Sequence, residues 1–197
     1  DDWVRMSAPL VYMLQFTPIY TSWAVVDAFI NRFGAEGIMG ALTILIHAII
    51  VAVMNFSLLK LNTATSELET FAAFSSFCYC NLASNVASAL MYIRVYYQTE
   101  YKRFGFTLSF QHFLYGSLWL ILAHLGHNPV QTYLLWAFIV IFEHHRITFS
   151  VRMGQFFDQY FSEEHRKGVP LDVPLFVERN GLLLIIAIGE CLMATVE

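Results

Sequence analysis

Apolar residues run along this chain in blocks long enough to cross a membrane, and polar residues gather in the short gaps between them. About 20 residues, each rising roughly 1.5 Å, cover about 30 Å of hydrocarbon, and by that measure the pattern predicts six helices. The first runs from about Met6 to Ile30, the second from Gly37 to Leu59, the third from Leu68 to Tyr97 and the fourth from Gly105 to Leu125. A Gly-His-Asn-Pro turn from Gly126 to Pro129 makes a tight hairpin into the fifth. The fifth apolar run, Val130 to Phe142, is too short to cross alone, so a spanning helix has to continue through Glu143, His144, His145 and Arg146. From Ile147 to Phe161 apolar residues recur at helical spacing among polar ones, which predicts an amphipathic extension at the interface. The polar stretch SEEHRKG ends it, Asp172 caps a sixth helix, and Pro174 is tolerated in that helix's first turn. The expected fold is all-α: one polytopic transmembrane helix bundle of about six spans over residues 1–197, with the interfacial extension after the fifth.

Composition strengthens this picture. Hydrophobic residues make up 57% and charged residues 13%, well below the roughly 25% charge of a soluble domain. Eighteen Phe and ten Tyr suit lipid-facing surfaces and the membrane interface. The formal charge is only -4 and the basic residues sit in loops instead of forming a stripe, which excludes nucleic acid as a partner. Cys78, Cys80 and Cys191 all fall in apolar segments and form no disulfide framework or zinc spacing.

Charge also orients the bundle. Six crossings put Arg5 and Lys60 on one side, and Arg32, Arg94, Lys102, Arg103, Arg146, Arg152, Arg166, Lys167 and Arg179 on the other. The positive-inside rule makes the second side cytoplasmic, and plasma membrane is the expected location. The chain opens on Asp1-Asp2 and its last apolar segment looks unfinished at Glu197, so it is expected to be the middle portion of a longer protein.

Ionisable groups at membrane depth cost a few kcal/mol, which makes each one a candidate for function. On the sixth helix, Glu190 lies eleven residues beyond Arg179 and shares its face, about 16 Å further along the axis. A carboxyl there can bind a proton or a cation, or simply hydrogen-bond a neighbouring helix. Glu178, in the first turns of that helix, is also accounted for by the helix dipole. His47 falls near the middle of the second helix and is either a relay partner for a carboxylate such as Glu190 or a structural donor. Asp27, near the end of the first helix, is expected to pair with Arg32 or with a basic loop. Glu143 and Arg146 are spaced to meet on one helical face, where with His144 and His145 they either line a cavity mouth or form a snorkelling helix end. Ala83, Ala87, Ser84 and Ser88, beside Asn81 and Asn85, read as a helix-packing face rather than a substrate site.

A membrane enzyme would rest on the pairs His124/His127 and His144/His145. The predicted topology sets these at opposite ends of a hairpin, and they are too few for a di-iron enzyme. A bis-His haem held by His47 and His112 has no other support in the sequence. No Lys lies inside a span, which excludes a retinal Schiff base, and no cofactor is expected.

The segment Val173 to Glu190, VPLFVERNGLLLIIAIGE, resembles the bacterial low-temperature-requirement A family, whose members show Glu-Arg-x-Gly-Leu and then an apolar run ending in Gly-Glu. Here those positions are Glu178, Arg179, Gly181, Leu182, Gly189 and Glu190, and NRFGAE at Asn31 to Glu36 is a second match. The resemblance spans most of the chain, although the family's usual opening helix is absent. It implies a multi-pass plasma-membrane protein linked by name to growth in the cold, and it supplies no reaction. The expected activity is transport or conduction of a proton, an ion or a small solute. The expected partners are membrane lipid and that solute, and a homo-oligomer stays open. A redox or metal enzyme using the histidines, and a structural or lipid-sensing protein, remain as alternatives.

Overall fold

In the computed structural model, residues 8–33, 37–125, 129–145, 152–153 and 155–163 are described, and every element among them is helical. Five helices follow in order: α1 (Ala8–Phe33), α2 (Gly37–Thr63), α3 (Glu67–Gln98), α4 (Lys102–Leu125) and α5 (Pro129–His144). A 3-10 turn at Asp158–Tyr160 comes after them. The expected sixth helix, with Glu178, Arg179 and Glu190, lies outside the described residues, as do Arg146 and the turn at 126–128.

Two stretches, Gly40–Thr63 and Lys102–Leu125, are long and apolar enough to cross a membrane. Their 24 residues extend about 36 Å, against about 30 Å of hydrocarbon. Along α2 the side chains of Leu45, Ile46, Ile49, Val53, Phe56 and Leu59 are exposed. An apolar face this continuous is poorly suited to water and well suited to acyl chains. Polar residues on α2 fold back onto their own helix: Asn55 donates to the Val51 carbonyl at 3.1 Å and Ser57 to that of Val53 at 2.9 Å. Such bonds satisfy a hydroxyl or amide where water is absent.

α3 starts where Ser66 accepts the Glu69 N–H at 3.3 Å while Glu69 reaches back to the Thr65 N–H at 3.1 Å. This is a reciprocal cap displaced by one residue from the usual capping box. α4 packs chiefly against α3, and Gly105 lets the two backbones close. A Cβ at Gly105 would stand 2.6 Å from the Tyr96 nitrogen and 2.7 Å from the Tyr92 carbonyl oxygen.

The interior is layered. One apolar cluster holds Leu14, Met54, Phe77, Trp119, Leu122 and Trp136, among others. A second, at the opposite end of the helices, holds Val25, Tyr92 and Val95, with Phe29, Phe33 and Phe104 against it. Residues between the two clusters along α1, α3 and α4 are polar and buried, including Ser22, Asn81, Ser84, Asn85, Ser88 and His112. Of the expected amphipathic extension, residues 155–157 are helical, and Phe157 packs edge-on against Phe106 of α4 with ring centres 5.0 Å apart. Arg103 binds Asp158 at 2.8 Å beside it.

Candidate functional site

The polar layer encloses a chamber lined by Pro18, Thr21, Ser22 and Val25 of α1, Asn81, Ser84, Asn85 and Ser88 of α3, His112 of α4 and Glu143 of α5. Pro18 contributes by what it lacks, since a proline has no N–H to close the helical bond to the carbonyl four residues earlier. The α3 residues stand at i, i+3, i+4 and i+7, so one stripe of that helix is polar within an apolar chain.

Hydrogen bonds fix the lining. Asn81 Nδ2 donates to the Phe77 carbonyl at 2.9 Å and Asn85 Nδ2 to that of Asn81 at 3.0 Å. The Asn85 amide oxygen is thereby turned toward His112, whose Nδ1 lies 3.0 Å from it. An amide oxygen only accepts, so His112 carries a proton on Nδ1, and its neutral form leaves Nε2 as the basic nitrogen. The imidazole stacks on Tyr92 at 5.7 Å, with the rings 7° from parallel. Ser22 and Ser84 join α1 to α3 through their hydroxyls.

Glu143 is 8% exposed, and its Oε1 accepts the indole N–H of the fully buried Trp119 at 3.0 Å. Its side chain is therefore turned into the bundle, away from the snorkelling position that its place at the end of an apolar run suggests. One residue earlier, the Phe142 carbonyl accepts the Tyr115 hydroxyl at 3.2 Å, and Tyr115 in turn accepts from Gln111 at 3.0 Å. These bonds pin the last turns of α5 against α4.

His47 is 1% exposed and reaches the same layer from α2. Its Nδ1 lies 3.0 Å from the Thr43 carbonyl, an acceptor, so Nδ1 bears a proton and the neutral ring accepts at Nε2 from the Ser88 hydroxyl at 3.3 Å. His47 thus meets the chamber through Ser88. Asp27 is buried near the end of α1 and outside the lining. Arg32 donates to the Ala28 carbonyl at 3.3 Å and lies 5.4 Å from the centre of the Phe104 ring. His124 is exposed and bonded to the Leu120 carbonyl. Among the described residues no three His, Cys, Asp or Glu side chains come together as a metal site.

Chain position alone did not separate Ser84 and Ser88, which line the chamber, from Ala83, which is exposed. The available signal was the Asn-x-x-Ser-Asn-x-x-Ser stripe, whose hydrogen-bonding groups exceed what close packing of small residues needs. Trp119 carried no such signal.

Described elements that are all helical, with an apolar exterior, two stretches long enough to cross a bilayer and one buried polar layer, point to a membrane protein. Residues 3–197 match the family described as Bacterial low temperature requirement A protein (LtrA), and the chain belongs to that family. A comparison with curated proteins found no match, and neither did one with solved structures.

Proposed function

We propose that this protein is a multi-pass plasma-membrane protein that passes a proton, an ion or a small solute through the chamber between α1, α3, α4 and α5. The observation that carries this is Glu143: a carboxyl group buried in the interior of a membrane bundle and surrounded by hydroxyls, amides and an imidazole. A carboxyl in such a place is costly, and a purely structural role would be met as well by an amide or a hydroxyl. Six crossings with the basic loops cytoplasmic complete the proposal, on the sequence pattern described above. Glu190, with Arg179 on the same expected face, is proposed as a further polar group on the pathway.

Liposomes carrying the purified protein test the proposal. Wild-type protein should speed the passage of at least one of protons, sodium, potassium or chloride, and Glu143→Gln should slow that passage about tenfold or more. Equal rates in the two proteins for every solute would refute the assignment of Glu143.

A further inference from the structure

We infer that the solute is the proton itself, exchanged between Glu143 and His112 inside a centre closed to hydrated ions; the inference rests on the transport reading above. Size is the first ground. The chamber encloses about 10 Å³, close to the space of a single water, so neither a hydrated ion nor an organic solute fits between these helices.

Charge is the second ground. Among the described residues the lining holds one carboxyl and one imidazole and no Lys or Arg, so an anion finds no positive partner among them. The third ground is how the oxygens are used. A bare metal cation needs a shell of several oxygens. Here the Asn85 amide oxygen faces His112, the Ser22 and Ser84 hydroxyls bind each other, Ser88 binds His47 and Glu143 Oε1 accepts Trp119. A proton needs only one basic atom at a time.

Among the described residues two titratable groups stand on the lining, Glu143 from α5 and His112 from α4. The lining residues of α1 and α3 do not titrate, His47 of α2 joins through Ser88, and Asp27 of α1 lies outside the lining. In the exchange, the O–H bond of the Glu143 acid breaks as an N–H bond forms at His112 Nε2, directly or across one water. The products are a carboxylate and an imidazolium, and the reverse step restores the pair. His47 is a side branch, because its other nitrogen faces the Thr43 carbonyl, which cannot take a proton onward. Apolar clusters flank the layer on either side along the described helices.

The test uses liposomes loaded with a pH-sensitive dye under a fixed potassium diffusion potential, with sodium or choline as the other cation. Wild-type protein should acidify the lumen at a rate indifferent to that choice. Glu143→Gln and His112→Asn should each lower the rate about tenfold or more while eluting as monodisperse protein. Sodium or potassium flux with proton flux at the level of empty liposomes would overturn the inference and leave the transport reading standing. No flux of any ion would overturn both. Full proton flux in either variant would overturn the exchange. If a variant does not fold, the cation substitution on wild-type protein decides alone: a rate that follows sodium overturns the inference, and one that ignores it supports the proton.

Discussion

Trp119 and Trp136 are both buried indoles in the same apolar cluster, yet they differ in what their N–H groups do. That of Trp119 donates to Glu143, whereas that of Trp136 has no hydrogen-bond partner among the described residues. Trp119→Phe should therefore cost about 1–3 kcal/mol more than Trp136→Phe, the difference expected for stripping a donor from a buried carboxyl. Thermal unfolding in detergent measures it, and equal losses would contradict the bond. Glycine supplies a similar contrast. Gly105→Ala drives a methyl into backbone atoms, while Gly116→Ala meets the flexible end of Leu82 at 3.1 Å. The first should destabilise by about 1–3 kcal/mol and the second by clearly less in the same assay. At this scale the sequence was only partly legible. His47 and Glu143 stood out because charge in apolar runs is costly. Whether Glu143 turns inward is decided by Trp119 on another helix, which no local pattern reveals.

The five described helices were legible to within a few residues, because apolar run length sets their extent and Ser66 sets the start of α3. With 32 residues, α3 extends about 48 Å, so its fully exposed first turn stands outside about 30 Å of hydrocarbon. There the Thr65 N–H and hydroxyl, followed by the Ser66 N–H, hold the Glu69 carboxyl below its ordinary value. A depressed folded value means that the cap's contribution is present above the unfolded value and is lost as pH falls through the folded one. The protection of the Glu69 and Thr70 amides, measured against their intrinsic exchange rates, should fall on acidification below the usual glutamate range, and Thr65→Ala should blunt that loss. Protection that ignores pH in the wild-type protein would contradict the cap. After α5, part of the expected extension is helical, at residues 155–157, but its seat on α4 was not legible. The seat depends on Phe157 meeting Phe106 and Phe110, and on Arg103 meeting Asp158. The ion pair is partly exposed and worth at most about 1 kcal/mol. Asp158→Asn should leave the unfolding temperature nearly unchanged while raising proteolytic cleavage near residues 155–161.

For the molecule as a whole, lipid follows from composition, and the family match over residues 3–197 agrees with it. Neighbour relations were not legible, since any helix with an apolar surface can face any other until specific polar groups meet. Here Ser22 with Ser84, Asn85 with His112 and Trp119 with Glu143 make those choices. Sidedness belongs to this scale as well. Single cysteines replacing Lys60 and Lys102, introduced in a background lacking the native cysteines, should label from opposite sides of intact cells, with position 60 outside; labelling of both from one side would undo the six-span arrangement. The most direct measurement is current across a planar bilayer containing purified protein, with wild type compared against Glu143→Gln. The buried carboxyl predicts a voltage-driven current above the bare-bilayer level that the substitution removes. Indistinguishable currents from the two proteins would contradict a role for the chamber in moving charge.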